Sequence, residues 1–281
     1  MYQLEFTVSS LHSREIRFSG GALRAAFLGL VSDIAPALGK DMHDGNDIRT
    51  YAIDPFRFNS DFHTSLDVDE DYKFGVNLLH KTRYKPLVRE MIGLENSEIE
   101  VFGKRMPVLQ IDFKMHHPLQ MMHNWTGDNR IKNAPKALIT MRFRTPTQLA
   151  HLGSEALYLY PDPEKIFPSL LKIWAEVGGK AIPVSTGEYR DWVRTQVYTS
   201  RHRIQTYPVK ISSTILAIGF IGRVDYTIDN PADPLARLTI GLAQLAELSN
   251  IGKHRTAGLG KVNTTVKIDD GNGNMIRCKP N

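Results

Sequence analysis

The order of strand and helix patterns, and its repetition, most constrains the fold of this chain. Residues 2–8 alternate between apolar and polar side chains, which predicts a half-buried strand. From Gly20 the period changes to that of a helix, which we predict to end at Gly39. The remaining patterns of this half are strands at residues 51–56 and 72–78, a helix at 84–92 and a strand at 108–115. The predicted order is therefore βαββαβ.

The second half of the chain repeats this order. Its patterns are a strand at residues 139–144, a helix opened by Asp162-Pro163, strands at 193–203 and 215–228, a helix opened by Pro234 and a strand at 261–268. Pro163 stands in the first turn of its helix, where proline is favoured. Residues 124–136, which are rich in glycine, asparagine and charge, are predicted to link the two halves.

Two consecutive βαββαβ orders predict an α+β protein of two tandem ferredoxin-like domains of the RRM-like kind, residues 1–130 and 131–281. Each domain would have a four-stranded antiparallel sheet with two helices on one face. This fold hosts many functions, so it does not select one. It does place a C-terminal glycine-rich loop between the last helix and the last strand of the second domain.

The glycine-rich loop is the segment Gly252-Lys253-His254-Arg255-Thr-Ala-Gly258-Leu-Gly260. Glycine lets the backbone adopt positive φ and approach a ligand closely, because it has no Cβ. The three basic residues between the glycines are donors suited to phosphate oxygens. The loop therefore indicates a polyanion such as RNA, against the alternative of a flexible connection whose charges are only solvated. Neither GxxxxGK[ST] nor GxGxxG occurs in the chain.

The composition limits the classes of protein. The chain has 281 residues, a formal net charge of +5 and a pI near 9.2, which suits a nucleic-acid partner without requiring one. A single cysteine, Cys278, excludes a disulfide framework and a cysteine-based zinc site, and fits a reducing cytoplasm. No apolar run approaches the roughly 18 residues of a membrane helix, and the N-terminal segment lacks a signal-peptide pattern. We therefore expect a cytoplasmic protein without a membrane partner.

Six short segments along nearly the whole chain carry a family resemblance. They are the helix that begins Gly21-Ala-Leu-Arg-Ala-Ala-Phe; Met42-His43-Asp44 ahead of Arg49-Thr-Tyr51-Ala-Ile-Asp54-Pro-Phe; Phe143-Arg-Thr-Pro-Thr; Tyr160-Pro-Asp-Pro with Ser169-Leu-Leu-Lys-Ile-Trp; Gly219-Phe-Ile-Gly; and Asn250 through Gly260. Each is weak alone, but six in register are hard to obtain by chance. Together they resemble the CRISPR-associated endoribonuclease family that cuts repeat RNA into guides, the Cas "six" proteins of the RAMP superfamily. Two positions depart from the family pattern: Asp54 replaces a usual serine, and His254 stands near a typical lysine or arginine.

The resemblance implies metal-independent cleavage of RNA, in which a 2′-hydroxyl attacks its neighbouring phosphate. The products would be a 2′,3′-cyclic phosphate (or 3′-phosphate) and a 5′-hydroxyl. This reaction needs a base, an acid and positive charge on the developing phosphorane. Histidine suits the proton transfers because its unperturbed pKa of about 6.5 lies near the working pH, and arginine suits the phosphate. No metal and no cofactor are expected.

The resemblance also assigns roles to single residues. His43 matches the family's general acid/base histidine, and Arg49 falls where a cation often stabilises the transition state. His254 is the rival catalytic histidine, although a contact with the RNA backbone is the favoured interpretation. Tyr51 is a candidate RNA contact, against the favoured alternative that this strand aromatic packs in the core.

Further RNA-binding residues are predicted in the glycine-rich loop and near one strand of the second domain. The loop candidates are Gly252, Lys253, His254, Arg255, Gly258 and Gly260, and the arginines that would form a basic track are Arg190, Arg194, Arg201 and Arg203. The alternative for the arginines is an exposed, solvated sheet face. His116, His117 and His123 have no cysteine or carboxylate at ligand spacing, so a surface strand is favoured over a metal site.

The predicted function is therefore an endoribonuclease that binds CRISPR repeat RNA as a stem-loop and cleaves precursor crRNA into guide units. Effector-complex subunits and a second copy of the chain are further partners that the resemblance allows. One alternative is a repeat-RNA-binding protein that has lost catalysis, which His43 argues against. Another is a backbone subunit of an effector complex, which the tandem repeat and the terminal loop disfavour. DNA binding is the weakest interpretation, because no helix-turn-helix or zinc signature occurs.

Overall fold

The computed structural model describes residues 1–16, 18–44, 48–58, 61–62, 65–151, 156–177 and 184–278. The chain forms two compact units. Unit 1 comprises Met1–His116, Pro208–Ala217 and His254–Leu259, and unit 2 comprises His117–Tyr207, Ile218–Lys253 and Gly260–Asn281. Unit 1 thus includes two short segments from the second half of the chain, one of which is most of the glycine-rich loop.

Unit 1 is built on an antiparallel sheet. Its described strands are β1 (Tyr2–Ser9), β2 (Arg14–Glu15), β3 (Tyr51–Phe58), β4 (Asp61–Phe62), β5 (Ser65–Leu66), β6 (Asp71–Leu78), β7 (Glu98–Val101) and β8 (Lys104–Met115), and its helices are α1 (Gly20–Ile34), α2 (Pro36–Asp44) and α3 (Lys81–Ile92). The large sheet has the order β4-β3-β6-β1-β8-β7, and β2 pairs with β5 apart from it. The inner order β3-β6-β1-β8 is that of a ferredoxin-like βαββαβ unit.

The core of unit 1 lies on one face of this sheet, where the alternating pattern of the first strand predicted it. β1 buries its alternate residues, and the ring of Phe6 stacks on Phe74 of β6 with centroids 4.8 Å apart. Helix α1 contributes Leu23, Phe27 and Val31, which recur every four residues and therefore lie on one helical face. Burying each such side chain contributes about 1.5–3 kcal/mol.

The first helix is shorter than predicted, because α1 ends at Ile34 and α2 begins at Pro36. Ala35 between them has φ −144° and ψ 75°, outside the helical region. Proline disfavours a helical conformation in the residue before it but is accepted in a first turn. Gly39, which was predicted to end the helix, is instead buried inside α2, where a Cβ would lie 2.6 Å from Ser32 Oγ of α1. The prediction of one helix ending at Gly39 was therefore wrong.

The second half of the chain contains a sheet of five strands and a separate strand pair. The described elements from residue 118 onward are α4 (Pro118–Thr126), α5 (Asn129–Asn133), β9 (Ala137–Thr147), β10 (Leu149–Ala150), β11 (Leu157–Tyr158), α6 (Pro163–Glu176), α7 (Thr186–Gln196), β12 (Val197–Lys210), β13 (Leu216–Ile228), α8 (Pro234–Ser249), β14 (Val262–Asp269) and β15 (Met275–Cys278). The five-stranded order is β12-β13-β9-β14-β15, which again contains the ferredoxin-like arrangement. The predicted fold class, α+β with tandem ferredoxin-like order, is confirmed.

Helices α6 and α8 begin where the Asp-Pro pairs indicated. The carboxylate of Asp162 accepts a hydrogen bond from the Glu164 amide at 2.9 Å, and that of Asp233 accepts one from the Leu235 amide at 2.8 Å. Each bond satisfies an amide that has no partner within the helix, which is worth about 1 kcal/mol. The proline that follows each aspartate loses nothing in the first turn, because its missing amide hydrogen has no helical partner there.

The strand predicted at residues 193–203 was partly wrong, because residues 186–196 form α7 and β12 starts at Val197. Ser185 and Glu188 form a capping box at the start of α7: Ser185 Oγ accepts from the Glu188 amide at 3.2 Å, and Glu188 Oε2 accepts from the Ser185 amide at 2.9 Å. This Ser-x-x-Glu signal was present in the sequence. Tyr189 and Val193, four residues apart, are the buried side chains of α7.

The predicted linker and the predicted tail also contain regular structure. Residues 124–136 include the end of α4 and all of α5, and Trp125 and Ile131 are 2% and 0% exposed. The segment therefore packs against the protein through buried side chains and is not an extended linker. β15 follows the predicted turn and pairs antiparallel with β14. Within the described ranges, no helix combines the length and the apolar character needed to cross a membrane.

We expect Gly29→Ala to raise the free energy of unfolding by about 1 kcal/mol, because alanine is the better helix former and a Cβ at this exposed position of α1 meets no atom within 4 Å. Gly39→Ala in α2 is the matched control, since its Cβ would crowd the backbone and side chain of Ser32. Urea denaturation of the two variants measures the difference. An equal gain at both positions would contradict the described packing of α2 on α1.

Candidate active site

The C-terminal turn of α2 carries His43 in its backbone and accepts a hydrogen bond from Arg49. His43 is the last residue but one of α2, and its side chain lies outside the described part of the chain. The half-buried Arg49 donates a hydrogen bond through Nη1 to the carbonyl of Met42, the residue before His43. The C-terminus of a helix favours a cation, because its last carbonyls have no helical partner. Arg49 is therefore held beside the backbone that carries His43.

Arg255 of the glycine-rich loop fixes the backbone of Arg49. Its Nη2 donates a hydrogen bond to the carbonyl oxygen of Arg49 at 2.9 Å. Burial lowers the pKa of Arg255 to about 10, which is still well above neutral pH, so the guanidinium remains charged. Sequence reasoning assigned Arg255 to RNA phosphate, whereas this bond is to the protein. A second guanidinium group thus lies at the backbone of Arg49.

A small cavity of about 20 Å³ adjoins Arg49 in unit 1, and Asp41, Arg83, Thr50 and Tyr84 contribute to its lining. This volume holds about one water molecule. Thr50 Oγ1 and the Tyr84 hydroxyl are buried and 2.9 Å apart, and burial raises the pKa of Tyr84, so this hydroxyl is neutral at pH 7. Arg83 of α3 forms an ion pair with Asp41 of α2. No local sequence pattern indicated this pair, because its members are 42 residues apart.

The glycine-rich loop turns through the left-handed region at four residues. The φ values are 84° at Gly252, 56° at His254, 82° at Gly258 and 72° at Gly260. Glycine adopts these angles without steric cost. For His254, the left-handed backbone conformation costs about 1–2 kcal/mol of folding free energy. The His254 carbonyl accepts a hydrogen bond from the Ala257 amide at 2.9 Å, which closes a single 3₁₀ turn. The prediction that the loop turns through positive φ is confirmed.

The space that a side chain would need at these glycines is filled by the protein itself. A Cβ on Gly252 would lie 2.3 Å from the carbonyl oxygen of Gln148, and one on Gly258 would lie 2.7 Å from Pro55 Cγ. A Cβ on Gly260 would lie 1.8 Å from a backbone carbonyl oxygen. These glycines therefore allow the loop to pack closely on the rest of the protein, because a side chain at any of them would collide with it. Sequence reasoning had instead assigned them to the approach of a ligand.

The three basic residues of the loop have different surroundings, although they are consecutive in the sequence. Lys253 belongs to unit 2, is half-buried, and its amide donates to the Gln148 carbonyl at 2.7 Å. His254 and Arg255 belong to unit 1, where His254 is exposed and Arg255 is half-buried. Of the three, His254 is therefore the residue most open to solvent.

Tyr51 is a core residue. Its side chain is 1% exposed, and its ring packs on Phe27 with centroids 5.5 Å apart. Arg24 Nε lies 3.5 Å from its hydroxyl, at the limit of a hydrogen bond. The structure therefore supports the packing interpretation of Tyr51, and a direct RNA contact by this ring would require the core of unit 1 to open.

The arginines of the predicted basic track lie on two different elements. Arg201 and Arg203 are exposed on β12, the edge strand of its sheet, and two residues apart they share one face. Neither forms an ion pair with another described residue. Arg190 and Arg194 lie on helix α7 instead of the predicted strand, and Arg194 pairs with Asp191 at 2.8 Å.

The histidines that the sequence analysis weighed as metal ligands do not form a cluster with other ligands. Across the described ranges, no group of three or more histidine, cysteine, aspartate or glutamate side chains could hold a metal ion. Nε2 of His116 lies 3.1 Å from Gln3 Oε1. Burial, followed by the charges of Lys114 and the N-terminus, lowers the pKa of His116 to about 4, so its ring is neutral at pH 7.

Comparison with known proteins identifies the class of this fold. Residues 141–262 match the family described as CRISPR-associated endoribonuclease Cas6. The product complex of Thermus thermophilus Cas6 TTHB231 is similar over 94% of this chain and 99% of that chain, with TM-score 0.71 at 17% identity. The product complex of Cas6 TTHA0078 is also similar over 94% of this chain and 99% of that chain, with TM-score 0.67 at 21% identity. A RAMP protein described as binding different RNA substrates reaches TM-score 0.58 at 12% identity, again over 94% and 99%. No curated protein matches the chain.

These similarities define the fold, which this chain shares with solved Cas6 structures and with a protein described as a RAMP protein. Residues 141–262 match the Cas6 family of CRISPR-associated endoribonucleases, and the fold of solved Cas6 structures is shared along 94% of the chain. The resemblance found in the sequence is thereby confirmed. His43 and Arg49 lie outside the matched residues, so their roles depend on the chemistry at the end of α2.

We expect Gly258→Ala to lower the free energy of unfolding clearly more than Gly271→Ala. Both residues have positive φ, so each substitution carries the left-handed cost of about 1–2 kcal/mol. At Gly258 the Cβ would also collide with Pro55, whereas at Gly271 it meets nothing within 4 Å. Chemical denaturation of both variants measures the difference. Equal losses would show that the loop does not pack on β3 as described.

Proposed function

We propose that this protein is a metal-independent endoribonuclease that cleaves CRISPR repeat RNA within precursor crRNA. The match of residues 141–262 to the CRISPR-associated endoribonuclease Cas6 family supports endoribonuclease activity. The observation that carries the mechanism is the bond from Arg49 to the carbonyl of Met42, which brings a guanidinium group to the residue adjoining His43. A proton-transfer group and a permanent cation at one helix end are what cleavage by an internal nucleophile needs.

In the proposed reaction, a base takes the proton of the 2′-hydroxyl while its oxygen attacks the adjacent phosphorus. The bond from phosphorus to the 5′-oxygen breaks, and this oxygen takes a proton from an acid. One proton is removed and one is returned, so the 2′,3′-cyclic phosphate and the 5′-hydroxyl form without water or a metal. We assign proton transfer to His43, and stabilisation of the negative phosphorane oxygens to Arg49. Arg255 would hold Arg49 in place and add positive potential.

The proposed partner is repeat RNA. Two of the similar solved structures are described as Cas6 product complexes, and a third as a RAMP protein binding different RNA substrates. On this chain, the exposed His254 of unit 1 is proposed to contact the RNA backbone. Arg201 and Arg203 of unit 2 are proposed to contact phosphates, since both are exposed and neither is neutralised by a described carboxylate.

We expect the wild-type protein to cleave, in EDTA, a labelled repeat RNA from the CRISPR array of the genome that encodes it. The products should have 5′-hydroxyl and cyclic phosphate ends, and a 2′-deoxy residue at the scissile position should abolish cleavage because it removes the nucleophile. His43→Ala should slow the single-turnover rate by about 10²–10⁴-fold. Arg49→Ala should slow it by about 10²–10³-fold.

His117→Ala is the matched control, because His117 is exposed and its side chain makes no capping bond at α4. It should leave the rate unchanged. Cleavage that needs a divalent metal, or that continues on the deoxy substrate, would overturn the mechanism. A rate unaffected by His43→Ala would move proton transfer to His254 or to positioning alone. Tight binding of the RNA without cleavage would make the protein an RNA-binding relative.

We expect the double substitution Arg201→Ala and Arg203→Ala to weaken repeat-RNA binding and to reduce the slope of log Kd against log salt by about 1.4–1.8. Each lost phosphate contact removes the release of roughly 0.7–0.9 counterions. Arg194→Ala is the control, and should change the slope less because Asp191 already partners its charge. Filter binding at several salt concentrations measures the slopes. Unchanged slopes in the double variant would exclude β12 from the RNA interface.

A further inference from the structure

A cavity of about 330 Å³ lies within unit 2, formed by α6, α7, β10 and the first residues of the glycine-rich loop. This volume is at the lower end of the range of small-molecule sites. Its wall includes Leu149 and Ala150 of β10 and Pro168 of α6. The cavity does not include any residue assigned to the cleavage chemistry.

Four cationic side chains line this cavity: Lys165 and Lys172 of α6, Arg190 of α7 and Lys253 of the loop. None of the four forms an ion pair with another described residue. Lys165 lies over the ring of Tyr158, with Nζ 4.4 Å from its centroid. Like charges brought together without a counterion repel one another, so an anion in the cavity would relieve a standing electrostatic cost.

The two carboxylates of the lining, Asp162 and Glu164, offset only half of this positive charge. Asp162 Oδ1 accepts from the Glu164 amide at 2.9 Å, and Oδ2 accepts from the Tyr158 hydroxyl at 2.8 Å. Asp162 is therefore occupied as the cap of α6. With four cations against two anions, the lining has a formal charge of +2.

The wall of the cavity at the loop is fixed by the backbone. The Lys253 amide donates to the Gln148 carbonyl at 2.7 Å, and Gly252 approaches the same carbonyl so closely that a Cβ would lie 2.3 Å from it. The backbone of Lys253 is therefore held in place, and only its side chain can move. A site whose wall is already formed loses less conformational entropy when its ligand binds.

We propose that this cavity binds a nucleoside phosphate. The phosphate would lie among Lys172, Arg190 and Lys253, and the sugar or base would lie against the apolar wall of Leu149 and Pro168. Arginine offers a planar pair of donors to phosphate oxygens, and lysine offers a mobile point charge. The nucleotide could be one unit of a bound RNA or a free mononucleotide. The first source rests on the proposed function, whereas the second is independent of it.

The first arm of the test titrates the full-length protein with adenosine 5′-monophosphate, uridine 5′-monophosphate and inorganic phosphate by isothermal titration calorimetry. Arg190→Ala and Lys172→Ala should each weaken mononucleotide binding by about 10-fold or more, as expected for the loss of a charged hydrogen bond. Arg277→Ala is the matched control, because Arg277 is exposed on β15, does not line the cavity and has no described ion pair. Arg277→Ala should leave mononucleotide binding unchanged. Arg190→Lys, which keeps the positive charge, should retain part of the mononucleotide affinity.

The second arm measures the Kd of repeat RNA and the single-turnover cleavage rate of the same variants. If the RNA supplies the nucleotide, Arg190→Ala combined with Lys172→Ala should raise the Kd by about 10-fold or more, with the loss in affinity rather than in the rate at saturation. Mononucleotide binding that the variants weaken, with unchanged RNA affinity, identifies a free ligand. Effects equal to those of Arg277→Ala in both arms would overturn the proposal.

The two proposals fail separately. A wild-type protein that cleaves RNA, but whose cavity variants behave like the control in both arms, refutes the cavity and leaves the proposed function intact. A wild-type protein that does not cleave, but binds a mononucleotide in a way that Arg190→Ala weakens, refutes the proposed function and leaves the cavity. Circular dichroism melts of each variant exclude loss of binding through unfolding.

Discussion

The close approach of backbone segments in unit 1 is the constraint on which the candidate active site depends. Gly20 begins α1 against the residue 254–259 segment, and a Cβ on Gly20 would lie 2.1 Å from the carbonyl oxygen of Ala257. Gly258 in turn approaches Pro55 of β3. A side chain at either glycine would push the segments apart, because backbone atoms cannot move as a flexible side chain can. The position of Arg255, two residues before the first of these contacts, therefore depends on glycine at both places.

This packing sets the electrostatics at the end of α2. Arg255 bonds to the carbonyl of Arg49, and Arg49 bonds to the carbonyl of Met42. A carbonyl oxygen has no net charge, so these two bonds orient the guanidinium groups without cancelling their charge. The ion pair between Arg83 and Asp41 is on the surface and contributes little stability by itself, but it ties α2 to α3. The helix that carries His43 is thus positioned through contacts from several elements of unit 1.

The family match and the proposed catalytic residues lie in different parts of the chain. The matched residues, 141–262, cover much of unit 2 and the glycine-rich loop, whereas His43 and Arg49 belong to unit 1. The solved structures share the fold at 12–21% identity, which preserves the order of elements more than individual side chains. The match of residues 141–262 indicates the class of reaction, and the proposed chemical groups are those near the end of α2.

The sequence by itself determined the fold class, because strand and helix periods and the Asp-Pro caps at Asp162 and Asp233 are local properties of the chain. It also contained the Ser185–Glu188 capping box, although the strand pattern of the following residues obscured it. Only the tertiary structure decided the surroundings of the basic residues: His254 is exposed, Arg255 bonds to a residue 206 positions away, and Arg190 lines a cavity. The reason is physical. Secondary structure follows from neighbours along the chain, whereas burial and charge environment follow from which distant segments pack together.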